Sequence, residues 1–461
     1  MRPIDMRSRI PTRMRGRSHE IHLHSVFSPL VFTAAVYAPL LFLYSVSSPE
    51  VFANDFDSRK ALTWTAFAYF ALALLCFVAG TRMGGDLRRS TPRQVARRCN
   101  LERSLSPAAR RSLAVLVGAA LVVSLLAFLI WGSLGVVRAG GPMEFIEIWR
   151  SDPFRIKGEI LATVPGVTTL MQLAVAAIPL AVAYGFSGRG SAMRTLVVLA
   201  LCAAAARSVF FSERLAVIEL IIPLVFLALA PRKVTVPRVA IYAATLLVTV
   251  IAFFTVTELR RSYAYTGDFS ASRATTRFFG YYLTSVNNGM AIVDEYPAAT
   301  PFLSTGQFFW EFPVVGDLQV TGLPPVGTVS LRYVDAFGVD PVAFWPSFFF
   351  EQDLDPEFNV VTTPGYLAAD FGWAGLIGLF LLGLISGRLY RRSETSVFHR
   401  ALYAVWIVGL FEFMRIIYFV DTRVFPAYVL FVAAYLVLRR YARASEPAST
   451  AAMQREAAEP A

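Results

Sequence analysis

The chain of 461 residues is short of charge, of cysteine, of histidine and of lysine, and each shortage excludes something. Only 16% of its residues are charged and 56% are hydrophobic, so it carries more apolar surface than a soluble domain can bury. Its three cysteines, Cys76, Cys99 and Cys202, fall in apolar runs or in a basic loop, which leaves no pair to form a disulfide outside a membrane. The four histidines, His19, His22, His24 and His399, lie on or near segments rich in arginine. If chemistry takes place on the opposite side, no histidine serves there as base or metal ligand. His19, His22 and His24 have a spacing that suits a metal, but a solvated basic tail explains them more simply. The formal charge of +11 comes from forty arginines and only three lysines. No basic stretch is interleaved with aromatics as a nucleic-acid module would require, so no nucleic-acid partner is expected.

What the chain does have is long apolar runs. A helix rises 1.5 Å per residue, so about 20 apolar residues span a hydrocarbon slab of roughly 30 Å. Ten such runs occur, over 27–46, 61–80, 112–131, 161–186, 195–211, 214–230, 239–258, 364–386, 400–419 and 424–438. The expected fold is all-α, a polytopic helical membrane protein of about ten spans. Arginines flank alternate loops, with six before the first run and nine between Arg82 and Arg111. By the positive-inside rule both termini face the cytoplasm, and a multi-pass protein of the cytoplasmic, or inner, membrane is expected, with membrane lipid as a partner. The first run is long and lacks a convincing small-residue cleavage site, so it reads as a retained anchor. Three regions follow: a basic cytoplasmic tail 1–26, a transmembrane region 27–438, and a cytoplasmic tail 439–461 whose Ala, Glu, Pro and Ser suggest disorder.

One loop is long, the outer segment 259–361. It holds 21 aromatic residues, far too many for a disordered linker. Within it, 275–295 suggests an amphipathic helix lying on the outer membrane surface. The aromatics read either as an interfacial belt or as a platform for sugar rings. The acidic run EQDLDPE at 351–357 holds Asp353 and Asp355, but no nucleotide-binding fold surrounds it and an exposed acidic loop is the better reading.

Ionised groups within apolar runs are more informative, because placing one at mid-membrane costs about 2.5–3.5 kcal/mol and such groups usually face a bundle interior or a watery cavity. RSVFFSERLAVIEL places Arg207 and Arg214 near Glu213 and Glu219, VTELRRSY places Arg260 and Arg261 beside Glu258, and FEFMRIIYFVDTRVF places Arg415 and Arg423 near Glu412 and Asp421. Each arginine can simply lock helices through its local acid. As a set they outnumber those acids and bring guanidinium forks to one outer level, where such forks bind phosphate oxygens bidentately. Asp370 lies a turn or two beyond Pro364 and Gly365 in TTPGYLAADFGWAGLIGLF, at the entry of an outer-facing helix. It suits either a general base or the structural partner of an arginine. Glu213, Glu258, Glu412 and Asp421 compete for the base role.

The segments RSVFFSERLAVIELIIPLVFLAL and FNVVTTPGYLAADFGWAGLIGLFLLGLISGRLY, together with the layout of spans and one large outer loop, resemble the bacterial oligosaccharide repeat unit polymerases of the O-antigen polymerase type. The resemblance implies polymerisation of polyprenyl-diphosphate-linked oligosaccharides outside the cytoplasmic membrane, by an inverting glycosyl transfer without metal or nucleotide cofactor. It further implies a chain-length regulator and a flippase as partners. The donor diphosphate falls to Arg207 and Arg214, with Arg261 a looser match. The substrate-binding set expected from residues and resemblance together is Arg207, Arg214, Arg260, Arg261, Arg415 and Arg423; the catalytic set is Asp370, Glu213 and Arg214. An O-antigen ligase-like transferase and a non-enzymatic lipid-oligosaccharide flippase are the alternatives.

Overall fold

The computed structural model describes residues 20–85, 105–152, 155–161, 164, 166–188, 191–211, 215–235, 241, 271–306, 333–334, 336–355 and 358–458. Apart from one small ribbon, its regular structure is helical. In the ribbon β1 (Glu20–His22) pairs antiparallel with β2 (Lys233–Thr235), Ile21 opposite Val234. The helices are α1 (Pro29–Val46), α2 (Pro49–Phe56), α3 (Trp64–Gly84), α4 (Pro107–Ala139), α5 (Pro142–Ser151), α6 (Val167–Ala183), α7 (Ala192–Phe211) and α8 (Leu215–Leu229), followed by α9 (Ala271–Glu295), α10 (Pro341–Glu351), α11 (Thr363–Phe371), α12 (Gly375–Thr395), α13 (Val397–Glu412) and α14 (Phe425–Ala458). Their starts are written locally. The side chains of Thr63, Ser106, Thr362 and Ser396 accept from the backbone N–H three residues on, and proline takes the first turn of α2, α4 and α11.

This is a helical membrane protein. Among the described residues five segments are long and apolar enough to cross a bilayer: α1, α3, α4, α7 and the α11–α12 pair. The other predicted spans are altered or fall elsewhere. Apolar α6 and α8 are shorter, α13 stops at Glu412 rather than running to 419, and the predicted span 239–258 lies outside the described residues but for 241.

The core forms around α13, which is apolar on every face and buried nearly throughout. It packs on α12, α8 and α6. Trp406 donates from Nε1 to Ser386 Oγ at 2.8 Å, and Tyr403 donates from its hydroxyl to Phe27 O at 2.7 Å. The closest helix pair is α3 with α12. A Cβ built on Gly80 would lie 2.0 Å from Phe380 O, on Gly84 2.2 Å from Leu384 O, on Gly383 2.2 Å from Phe77 O, and on Gly387 2.3 Å from Thr81 O. The two backbones therefore meet through two Gly-x-x-x-Gly pairs, GTRMG and GLISG.

At the ribbon end, His24 stacks on Tyr390 and lies 2.8 Å through Nε2 from Ser393 Oγ. At the opposite end, Lys60 donates from Nζ to the carbonyls of Ser45 and Ser47 and so caps α1; its burial lowers its pKa from the usual lysine range.

Two expectations change. The second half of α9 does not lie on a membrane surface; Val286, Asn287, Asn288, Met290, Ala291 and Ile292 are buried in the bundle against α1, α3 and α11. Polar groups direct this insertion. Asn287 accepts at Oδ1 from Tyr44 Oη and Ala61 N and donates to Arg59 O, all at 2.8 Å. The second change concerns the tail, in which α14 continues to Ala458 instead of ending near Arg443; its Ala, Arg, Gln and Glu are strong helix formers.

Replacing Gly383 by alanine is expected to prevent the α3–α12 approach and remove the folded monomer in detergent size-exclusion chromatography. Gly132→Ala, where a Cβ meets nothing within 4 Å, is expected to elute as wild type.

Candidate functional site

The stretch from Phe358 to Thr395 does not form one straight span. Residues 358–362 descend into the bundle as irregular backbone, and Asn288 Nδ2 donates to Phe358 O at 2.8 Å and Val360 O at 3.0 Å. Thr363 N then donates to Phe413 O, and Thr363 Oγ1 to Ile416 O, both at 2.9 Å. From there α11 runs back toward the loop end, turns at Gly372 (φ 56°), and the chain returns as α12. The fold-back is visible in Leu367, whose carbonyl would lie 2.5 Å from a Cβ on Gly375 and whose side chain would lie 3.1 Å from one on Gly378. Gly365 is required because a Cβ there would be 2.7 Å from Gly289 Cα of α9. Pro364 and Gly365 thus start a short helix at its deep end, and the predicted outer entry is reversed.

Asp370 lies at the other end of α11, 2% exposed. Its Oδ1 accepts from Ser304 N at 3.1 Å, and its Oδ2 from Thr305 N at 2.7 Å and Thr305 Oγ1 at 2.8 Å. Ala298 N and Thr300 N donate to Ala368 O and Ala369 O, which supplies partners for the last carbonyls of the helix. The Asp370 carboxylate clamps the 298–305 loop to α11.

The ionised groups collect at another place, one depth inside the bundle. Arg423 donates to Glu219 from Nε at 2.5 Å and Nη2 at 2.9 Å, a two-pronged pair joining the α13–α14 loop to α8. The Arg423 N–H donates to Asp421 Oδ1 at 2.8 Å. Arg207 of α7 lies within electrostatic reach of Glu219, and its guanidinium lies over the Trp131 ring, 5.9 Å from the centroid. Arg415 Nε donates to Glu412 Oε2. Glu412 is fully buried, and among the described residues its Oε1 has no hydrogen-bond partner. Glu219 lies ten residues before the ribbon end of α8 and Glu412 fifteen residues after the start of α13, which puts the layer about 15–22 Å from the ribbon end at 1.5 Å per residue.

A cavity of about 40 Å³ adjoins this layer, lined at its polar edge by Ser124, Gln172, Arg207 and Glu219. That is room for a water molecule or two. Among the described residues no group of three His, Cys, Asp or Glu side chains could hold a metal ion.

Of the predicted site residues, Arg207, Arg415 and Arg423 share this layer, whereas Asp370 is engaged by the loop. Glu213, Arg214, Arg260 and Arg261 lie outside the described residues. The expected excess of arginines is corrected for the described part: the layer holds three carboxylates, of Glu219, Glu412 and Asp421, for the three guanidinium groups of Arg207, Arg415 and Arg423, with Arg423 paired to Glu219, Arg415 to Glu412, and Asp421 accepting the Arg423 backbone N–H. Glu219, which reads in sequence only as a neighbour of arginines, is the acid that Arg207 and Arg423 share. A carboxylate in the middle of IELIIPLVFLAL is the signal that marks it. No family model, curated protein or solved structure matches the chain.

Arg423→Ala leaves the buried Glu219 charge uncompensated and is expected to destabilise the protein by about 3–5 kcal/mol; in thermal unfolding, the added substitution Glu219→Gln should recover part of that loss. Asp370→Ala strands the N–H groups of Ser304 and Thr305, at about 1–3 kcal/mol. Limited proteolysis should then cut near 300–306 faster than in wild type, and unchanged cutting would remove the clamp.

Proposed function

We propose that the protein joins lipid-diphosphate-linked oligosaccharide repeat units into O-antigen, capsular or other exopolysaccharide at the outer side of the cytoplasmic membrane, as a metal-independent glycosyltransferase. The observation that carries the reading is the grouping of Arg207, Arg415 and Arg423 at one depth within a membrane bundle. Guanidinium forks there suit the diphosphate of a lipid carrier and stabilise the negative charge that grows on it as the glycosidic bond breaks. In this reading Arg207 and Arg423 bind the leaving diphosphate, and Arg214, Arg260 and Arg261 extend the set. Glu412 replaces Asp370 as the candidate proton acceptor, since one of its oxygens has no partner among the described residues. The growing chain passes to the next lipid-linked unit, with a chain-length regulator and a flippase as functional partners.

One feature favours a second reading. A short helix that turns back inside the bundle is also how many transporters build a binding site, so a flippase for the same lipid-linked oligosaccharides is the rival. Transport by purified protein in vesicles without glycosidic bond formation would decide for it.

Deleting the gene is expected to leave lipid-linked single repeats in place of the surface polymer ladder, and Arg207→Ala or Arg214→Ala to reproduce that pattern by gel electrophoresis while the protein remains inserted. Intact long chains in the deletion strain would refute the polymerase reading, and a loss confined to transfer of finished polymer would point to a ligase-like transferase.

A further inference from the structure

Glu219 occupies an unusual place. Its two oxygens fill both prongs of the Arg423 guanidinium, and it is 1% exposed. Arg207 faces it from α7, Arg423, Asp421 and Tyr418 from the α13–α14 loop, and Glu412 from α13. The neighbouring cavity, about 40 Å³, has room for a water or two, far less than a diphosphate needs. The arginines therefore already hold an anion, and that anion is part of the protein.

A guanidinium fork accepts a carboxylate or two oxygens of a phosphate in the same planar geometry. We infer that Glu219 is a built-in surrogate for a diphosphate: it keeps the Arg423 fork in register in the closed state, and a diphosphate binds by displacing it. The inference rests on the proposal that this layer receives a diphosphate, and it adds how the site is kept closed. Displacement leaves a carboxylate in a buried place beside a phosphate, with Glu412 and Asp421 near and the guanidinium now taken. A buried carboxylate deprived of its cation is stable only in the neutral form. Glu219 accordingly takes one proton from solvent as the diphosphate enters, no covalent bond being made or broken. Binding is then coupled to proton uptake and strengthens as pH falls. The device also keeps two arginines from repelling each other in an empty site.

The test uses purified full-length protein in detergent, titrated calorimetrically with inorganic pyrophosphate and separately with farnesyl diphosphate, in buffers of different ionisation enthalpy. Wild type is expected to take up about one more proton per ligand than Glu219→Gln. The variant should bind at least about tenfold more tightly at pH 7.5, with the gap closing toward pH 5.5. The probe's own protonation is common to both proteins and cancels in this comparison. Tighter binding of farnesyl diphosphate than of pyrophosphate assigns the displacing group to a lipid, and equal binding assigns it to free diphosphate. If Glu219→Gln does not fold, infrared difference spectra of wild type with pyrophosphate should show a new protonated-carboxyl band. Equal or weaker binding by a folded variant with unchanged proton uptake, no such band in wild type, or no binding of either probe overturns the inference. The glycan pattern of the deletion strain tests the underlying proposal separately.

Discussion

The structure depends first on the contact between the backbones of α3 and α12. Within lipid, apolar side chains gain nothing by leaving hydrocarbon for one another, so helices associate through close packing and polar contacts. Gly80, Gly84, Gly383 and Gly387 remove the side chains that would hold these two helices apart. Once α12 is fixed, the turn at Gly372 fixes α11, and Trp406 with Ser386 sets α13 against α12. The depth at which α13 stops then determines where Arg415, Asp421 and Arg423 sit.

The charged layer follows from that early stop. A helix ending at Glu412 leaves residues 413–424 as loop inside the bundle, where every polar group needs a partner. The backbone of Thr363, the side chain of Thr363 and the carboxylate of Glu219 meet part of that need. Replacing buried ion pairs by apolar residues is often neutral or stabilising in folded proteins, so stability alone does not call for three arginines here. Their presence fits a role that needs the charge.

Much of the architecture was legible. Apolar runs located most helices. The runs could not show that 364–386 turns back at Gly372, because hydropathy is blind to direction. The buried half of α9 was misjudged for a related reason: Asn287 and Asn288 look like surface residues until the irregular segment 358–362 and the 59–61 loop supply their partners. The arginines were found by their cost in lipid, while their balance with Glu219, Glu412 and Asp421 depends on contacts across α7, α8 and α13 that spacing does not encode. The two glycine pairs were readable all along, as small residues four apart on helices that needed a seam.

The shortness of α11 bears on how the chain is made. Nine residues of helix reach about 14 Å, roughly half the hydrocarbon thickness, so α11 cannot be released into the bilayer as a unit of its own during synthesis. Its irregular approach over 358–362 is admissible only once Asn288 is present to donate to it and Phe413 and Ile416 to accept from Thr363 at its end, and the last two are synthesised after it. Maturation therefore ends with a segment settling inward from the aqueous face after its neighbours have assembled.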